Sequence, residues 1–183
     1  MKNIKLKQTQ KLLILNKDNL SIHNDARKTL KIWHQFRPKT SDINIHALDD
    51  YYRQPLRLVA GLDDTYYFFN DFCRVDLLLR EEMGLRQPCL IGAENLNDIK
   101  RLAWAQVLQL AFVRGLYHPG FFKAINNNAP KHMICELMKV RVLTIETYCQ
   151  FAGISQSAYE YQQGKSAREE PILGLPKSMS WLE

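Results

Sequence analysis

The sequence predicts an α+β, helix-rich chain: a small α/β part with a short sheet, followed by a helical part that contains a helix-turn-helix. Three observations predict it. "QPLRLVA" and "TYYFF", both rich in β-favouring residues, flank the turn tetrapeptide "GLDD". From Asn95 onward, apolar residues recur at helical spacing rather than alternating. Between Thr144 and Lys165, a glycine separates two short polar-faced helical segments.

In order, residues 1–20 alternate charged and apolar character without capping signals, which suits an arm or an edge strand. Ile22, Ala26, Leu30 and Trp33 predict a helix over 21–36, broken by Arg37-Pro38. "INIHALDDYY" predicts a second short helix and "QPLRLVAGLDDTYYFF" a hairpin. "RVDLLLREEM" reads as a helix closed by Gly84, and "QPCLIGA" as a short buried strand. "NLNDIKRLAWAQVLQLAFVRG" is a long helix capped by Asn97 or Asp98 and stopped at Gly115. Residues 115–130, rich in Gly, Pro and Asn, read as a linker. The expected division is therefore an α/β domain over 1–114 and a helix-turn-helix domain over 131–183 with an irregular tail.

Composition narrows the function classes. The chain has 183 residues, 46% hydrophobic and 24% charged, so disorder throughout is not expected. Its apolar runs fall short of the roughly 20 residues that cross a bilayer, and its N-terminus lacks a signal-peptide pattern. No membrane partner and a cytoplasmic location are the expectation. The cysteines Cys73, Cys89, Cys135 and Cys149 form no CxxC pair and have no histidine at zinc-ligand spacing, so no metal or cofactor is called for. The net charge of +6 divides as +7 over residues 1–57, −4 over 58–100 and +3 over 101–183. Two separated basic regions suit a polyanion.

The stretch "LTIETYCQFAGISQSAYEYQQGK" concentrates the functional signal. Thr144 can cap a first helix, Leu143 can staple onto Tyr148, and Glu146 favours the first turn. Gly153 permits a left-handed turn. Ser155 can cap a second helix, which Gly164 would stop. Helices joined so tightly cross steeply, and Cys149 is small enough for the crossing. Ala152, Ile154 and Tyr159 would close the core, while "HMICELMKV" supplies a supporting helix. Gln156, Ser157, Glu160 and Tyr161 then face outward, as a reading helix does in a major groove. Lys139, Arg141, Lys165 and Arg168 flank the pair and can grip phosphates, against the repulsion of Glu160.

These residues, particularly Thr144, Glu146, Gly153, Ile154, Ser155, Gln156, Ser157, Tyr159, Gly164 and Lys165, resemble the helix-turn-helix of phage-repressor-type (XRE-like) regulators over residues 131–166. The resemblance implies duplex DNA as partner. It departs at Cys149, where alanine is usual, and after Lys165, where two further helices are expected. Residues 37–79 resemble, more distantly, the N-terminal domain of ParB-type partition proteins, a fold shared with sulfiredoxin. In that family a glycine and paired arginines bind nucleotide phosphates. Here Asp71 stands at the glycine, Cys73 replaces one arginine and Arg74 remains, so the resemblance implies a nucleotide function that has been lost.

The leading expectation is a non-enzymatic DNA-binding protein of a bacterium or mobile element, a transcriptional regulator or partition-type accessory factor, acting as a homodimer. A protein-interaction module, such as an immunity or antitoxin protein, is the alternative, with the acidic middle segment facing a basic partner. A weaker alternative is a nuclease built on the partition-like fold, with Asp49, Asp50, Asp63 and Asp64 holding magnesium. Paired acids in turns are, however, ordinary turn chemistry.

Overall fold

The structure is a computed structural model that describes residues 8–38, 54–80 and 86–169, with side chains described as far as Lys165. Five strands form one mixed sheet: β1 (Thr9–Ile14), β2 (Leu20–Ile22), β3 (Leu56–Ala60), β4 (Tyr66–Phe68) and β5 (Arg86–Ile91), in the order β1-β5-β3-β4-β2. Seven α-helices accompany it among the described residues, so the fold is α+β and helix-rich. They are α1 (Arg27–Phe36), α2 (Phe72–Arg80), α3 (Leu96–Leu108), α4 (His118–Asn128), α5 (Lys131–Met138), α6 (Ile145–Ala152) and α7 (Gln156–Glu169).

The hairpin forms from β3 and β4, antiparallel, with Leu58 opposite Phe68 and Ala60 opposite Tyr66. Its turn places Asp63 and Asp64 at φ of 51° and 55°, and Thr65 N–H donates to the Leu62 carbonyl at 3.0 Å. Two consecutive positive φ values match the right-handed twist of the strands, and aspartate tolerates them at modest cost. β5 then runs parallel to β3 with Leu56 beside Cys89, and β1 pairs antiparallel with β5 at the sheet edge.

Several boundaries differ from the sequence-based expectation. The helix expected from Ser21 starts at Arg27, because Leu20 and Ile22 pair with Tyr66 and Phe68 in the parallel strand β2. Pairing with a partner 46 residues away overrides local helical spacing. The cap of α3 is Asn95, whose side chain accepts from Asn97 N–H at 2.9 Å, and α3 gives way to a 3-10 turn over Gln109–Phe112. The expected linker contains α4. Pro119 sits in its first turn, where a missing N–H costs nothing, and Phe121 and Ile125, four apart, are fully buried. Counting Gly, Pro and Asn does not register that pair. The expected helix over 43–52, Gly84, and Pro171 with Pro176 lie outside the described residues.

Helix α7 also runs through Gly164 to Glu169 instead of stopping. Nothing lies within 4 Å of where a Cβ would stand on Gly164. Gly164→Ala is therefore expected to stabilise the protein by about 0.5–1 kcal/mol, through backbone entropy alone. A rise in the thermal midpoint checks it.

Buried residues from both regions join one apolar cluster, from Leu15 near the sheet to Tyr159 on α7. Phe36 on α1 meets Phe121 on α4 with ring centroids 5.2 Å apart. Trp33 packs edge-on to Phe72 at 6.0 Å, and Arg37 pairs with Asp76 of α2. Among the described residues of the sheet region, the charged side chain of Arg74 is buried, only 1% exposed. Its guanidinium donates to the Gln54 carbonyl and, at 3.0 Å, to Gln87 Oε1.

Candidate nucleic-acid interface

The geometry around Gly153 is built from local capping. Thr144 Oγ1 accepts from Thr147 N–H at 3.1 Å, and Thr147 Oγ1 accepts from Thr144 N–H at 2.9 Å, a reciprocal cap at the start of α6. At the other end, Gly153 adopts φ of +69°. Gly153 N–H donates to Gln150 O and Ile154 N–H to Cys149 O at 3.1 Å, the paired bonds of a Schellman motif. Ser155 Oγ accepts from Ala158 N–H at 3.1 Å and opens α7. Only three residues, Gly153 to Ser155, separate the two helices.

Helix α7 has two unlike faces. Inward, Tyr159 is 3% exposed and its ring meets Phe122 at 6.2 Å and Tyr148 at 6.3 Å. Gln162 Oε1 accepts from His118 N–H at 2.9 Å, so α7 satisfies an amide that α4 leaves without an intrahelical partner. Outward, Gln156, Ser157, Glu160, Tyr161 and Lys165 are all exposed, Tyr161 at 73%. Ser157, Glu160 and Tyr161 lie three and four apart and share one stripe. Arg168 falls in the last turn of α7, beyond the described side chains. Thr144 and Ser155 are exposed too, with their hydroxyls engaged in the caps.

Lys139 and Arg141 are exposed in the loop between α5 and α6. Lys139 stands at φ of +58°, and the bonds Lys139 N–H to Glu136 O and Val140 N–H to Cys135 O form a second Schellman motif. Glycine usually fills that position, since a Cβ there costs roughly 1 kcal/mol.

Sequence reading missed the buried contact beneath these helices. His118 Nδ1 and Tyr148 Oη are 2.8 Å apart and share a hydrogen bond, with Tyr148 fully buried and His118 6% exposed. Burial lowers the His118 pKa below its ordinary 6.5 and pushes the Tyr148 phenol up. Thirty residues separate the pair, and no spacing rule joins a lone His to a lone Tyr.

The other chemistry-bearing residues resolve as packing or turns. Cys73 and Cys135 are half-buried, Cys89 and Cys149 are buried, and all four are free thiols. Burial raises the pKa of Cys73, and that of Cys89 to about 11, which leaves both in the protonated, unreactive form. Asp71 takes φ of +53°, a left-handed conformation that favours glycine. Asp63 and Asp64 belong to the hairpin turn, while Asp49 and Asp50 lie outside the described residues. Among the described residues no group of three or more His, Cys, Asp or Glu could hold a metal, and no helix is long and apolar enough to cross a membrane.

No protein-family model, no curated protein and no solved structure matches the chain.

Proposed function

We propose that the chain binds double-stranded DNA by laying the outward face of α7 in the major groove, in the manner of a transcriptional regulator or partition-type accessory factor. The observation that carries this reading is the two-sidedness of α7. One face is clamped by Tyr159 and Gln162, while Gln156, Ser157 and Tyr161 reach solvent. Glutamine pairs bidentately with adenine, and serine serves several bases. Lys139, Arg141, Lys165 and Arg168 supply phosphate contacts.

Lys139 adds support, because it holds a cation in a backbone conformation that stability alone would give to glycine. Such local strain is characteristic of functional positions. Lys139→Gly is therefore expected to stabilise the fold by about 1 kcal/mol while weakening DNA binding. Few substitutions that damage a fold can do both.

The deciding experiment is an electrophoretic shift across a salt series. These four cations alone give, per protomer, a slope of log affinity against log salt of about −3.6, so affinity falls about 150-fold or more from 50 to 200 mM. Lys139→Gly should flatten that slope by about 0.9. A chain that leaves every duplex unshifted at 50 mM salt is not a DNA-binding protein.

One reading helix rarely suffices alone, so a homodimer is part of the proposal. The edge strand β1 offers a surface for a second copy, since Leu12 and Ile14, two apart on one face, are 64% and 48% exposed. The double variant Leu12→Lys with Ile14→Lys is expected to halve the mass measured by light scattering.

A further inference from the structure

The exposed side of α4 borders two clefts. One, of about 470 Å³, is lined by Tyr117, Gly120, Lys123 and Asn126 together with Tyr159 and Gln163 of α7. The other, of about 280 Å³, is lined by Asn126, Lys131, His132 and Arg141, with Cys135, Val142 and Leu143 behind them. Asn126 borders both, so the two clefts adjoin at α4, one reaching toward α7 and the other toward the loop before α6, as a groove in two parts.

The charge along this groove has one sign. Lys123, Lys131 and Arg141 line it, and neither cleft has an aspartate or glutamate among its lining residues. Lys123, Lys131 and Arg141 are exposed and make no ion pair with a described residue. The three acids between residues 114 and 165, Glu136, Glu146 and Glu160, line neither cleft. Asn126, Tyr117 and Gln163, which carry neutral donors, line it too, beside apolar Pro119, Phe122, Val142 and Leu143. Cations interleaved with neutral hydrogen-bond donors, without a base-reading pattern, are what a phosphodiester backbone requires.

We infer that this groove is a track for one DNA strand's phosphate backbone, with Lys123 and Lys131 as phosphate-binding residues and Asn126 between them. The inference rests on the duplex reading of α7 and adds to it a second contact line, on a different helix. From Tyr117 to Asn126 the track is about 14 Å long at 1.5 Å per residue. That length spans a short run of consecutive phosphates on one strand. The track adds no sequence preference, because its donors meet only phosphate oxygens.

The test is the double variant Lys123→Ala with Lys131→Ala, titrated against several unrelated duplexes from 50 to 200 mM salt. Each lost phosphate contact removes about 0.9 from the slope, so the slope flattens by about 1.8 per bound protomer, and the fourfold rise in salt costs the variant about 12-fold less per protomer than it costs the unmodified chain. The loss of affinity is equal for every duplex. Lys123→Arg with Lys131→Arg restores the slope, and both double variants melt within about 2 °C of the unmodified chain, since the side chains are exposed. If the unmodified chain shifts duplexes and the alanine variant keeps its full slope, the track is wrong and the role of α7 stands. If the unmodified chain shifts no duplex at 50 mM, both fall together.

Discussion

Truncating Tyr148 to alanine is expected to cost about 3–5 kcal/mol of folding free energy and to lower the thermal midpoint by about 10 °C or more. Tyr148 is fully buried, and its ring is a hub. Centroids of His118, Phe121, Phe122 and Tyr159 lie 5.9, 6.4, 5.3 and 6.3 Å from its own. Removing it opens a cavity among α4, α6 and α7, whose aromatic rings cannot collapse into it without leaving their rotamers. On the proposed reading, DNA binding falls too, although no residue on the outward face of α7 has changed. Tyr148→Phe separates packing from hydrogen bonding. It retains the ring, deprives the His118 imidazole of its bond, and should cost about 1–2 kcal/mol. An alanine variant that melts within 2 °C of the unmodified chain would remove Tyr148 from the centre of this cluster.

The same site gives the protein a pH dependence. An unfolded His118 titrates at its ordinary 6.5, while the folded one, buried, titrates lower. Below 6.5 the unfolded chain takes up the proton first, so stability is full above that value and is lost progressively as pH falls. His34, lowered mainly by burial and then by Arg37, contributes in the same direction. Melts between pH 7.5 and 5.5 should show a falling midpoint, and His118→Gln should reduce that fall.

Arg74→Ala is the second large effect, again about 3–5 kcal/mol. A long side chain vanishes from a site only 1% exposed, and the Gln54 carbonyl and Gln87 Oε1 lose a charged donor. The buried Gln87 Oε1 left unsatisfied costs about 1–3 kcal/mol, and the cavity adds to that. Arg74→Lys should recover only part, because a single ammonium cannot reproduce the spread of a planar guanidinium fork. Chemical denaturation with all three chains checks the order: unmodified, then lysine, then alanine. An alanine variant equal to the unmodified chain would show that the guanidinium joins nothing. By sequence alone Arg74 stood as a phosphate ligand left over at a degraded nucleotide site. In the fold its side chain turns inward and ties α2 to β5 and to the residues before β3.

The two regions of the chain were unequally legible. Thr144, Gly153 and Ser155 do what their residue types suggest, because a cap or a left-handed turn is decided within four residues of backbone. The hairpin at 56–68 follows for the same reason: alternation and turn chemistry are local. Gly164 misled, since a glycine stops a helix only where a left-handed residue is more favourable there than another helical turn, and α7 continues past it. Residues 115–130 misled because composition weighs Gly, Pro and Asn while burial weighs Phe121 and Ile125.

Local backbone chemistry, read directly from the chain, determined the α+β class, the short turn at Gly153 and the polar character of Gln156, Ser157, Glu160 and Tyr161. Tertiary structure alone decided that β2 is a strand, that His118 meets Tyr148, that Gln162 holds α7 to α4, and that Lys123, Asn126, Lys131 and Arg141 line adjoining clefts. The physical reason is range. Capping and turns exchange hydrogen bonds between near neighbours, whereas these contacts join residues far apart in the chain, and burial of apolar surface, which carries no directional code in the sequence, brings them together.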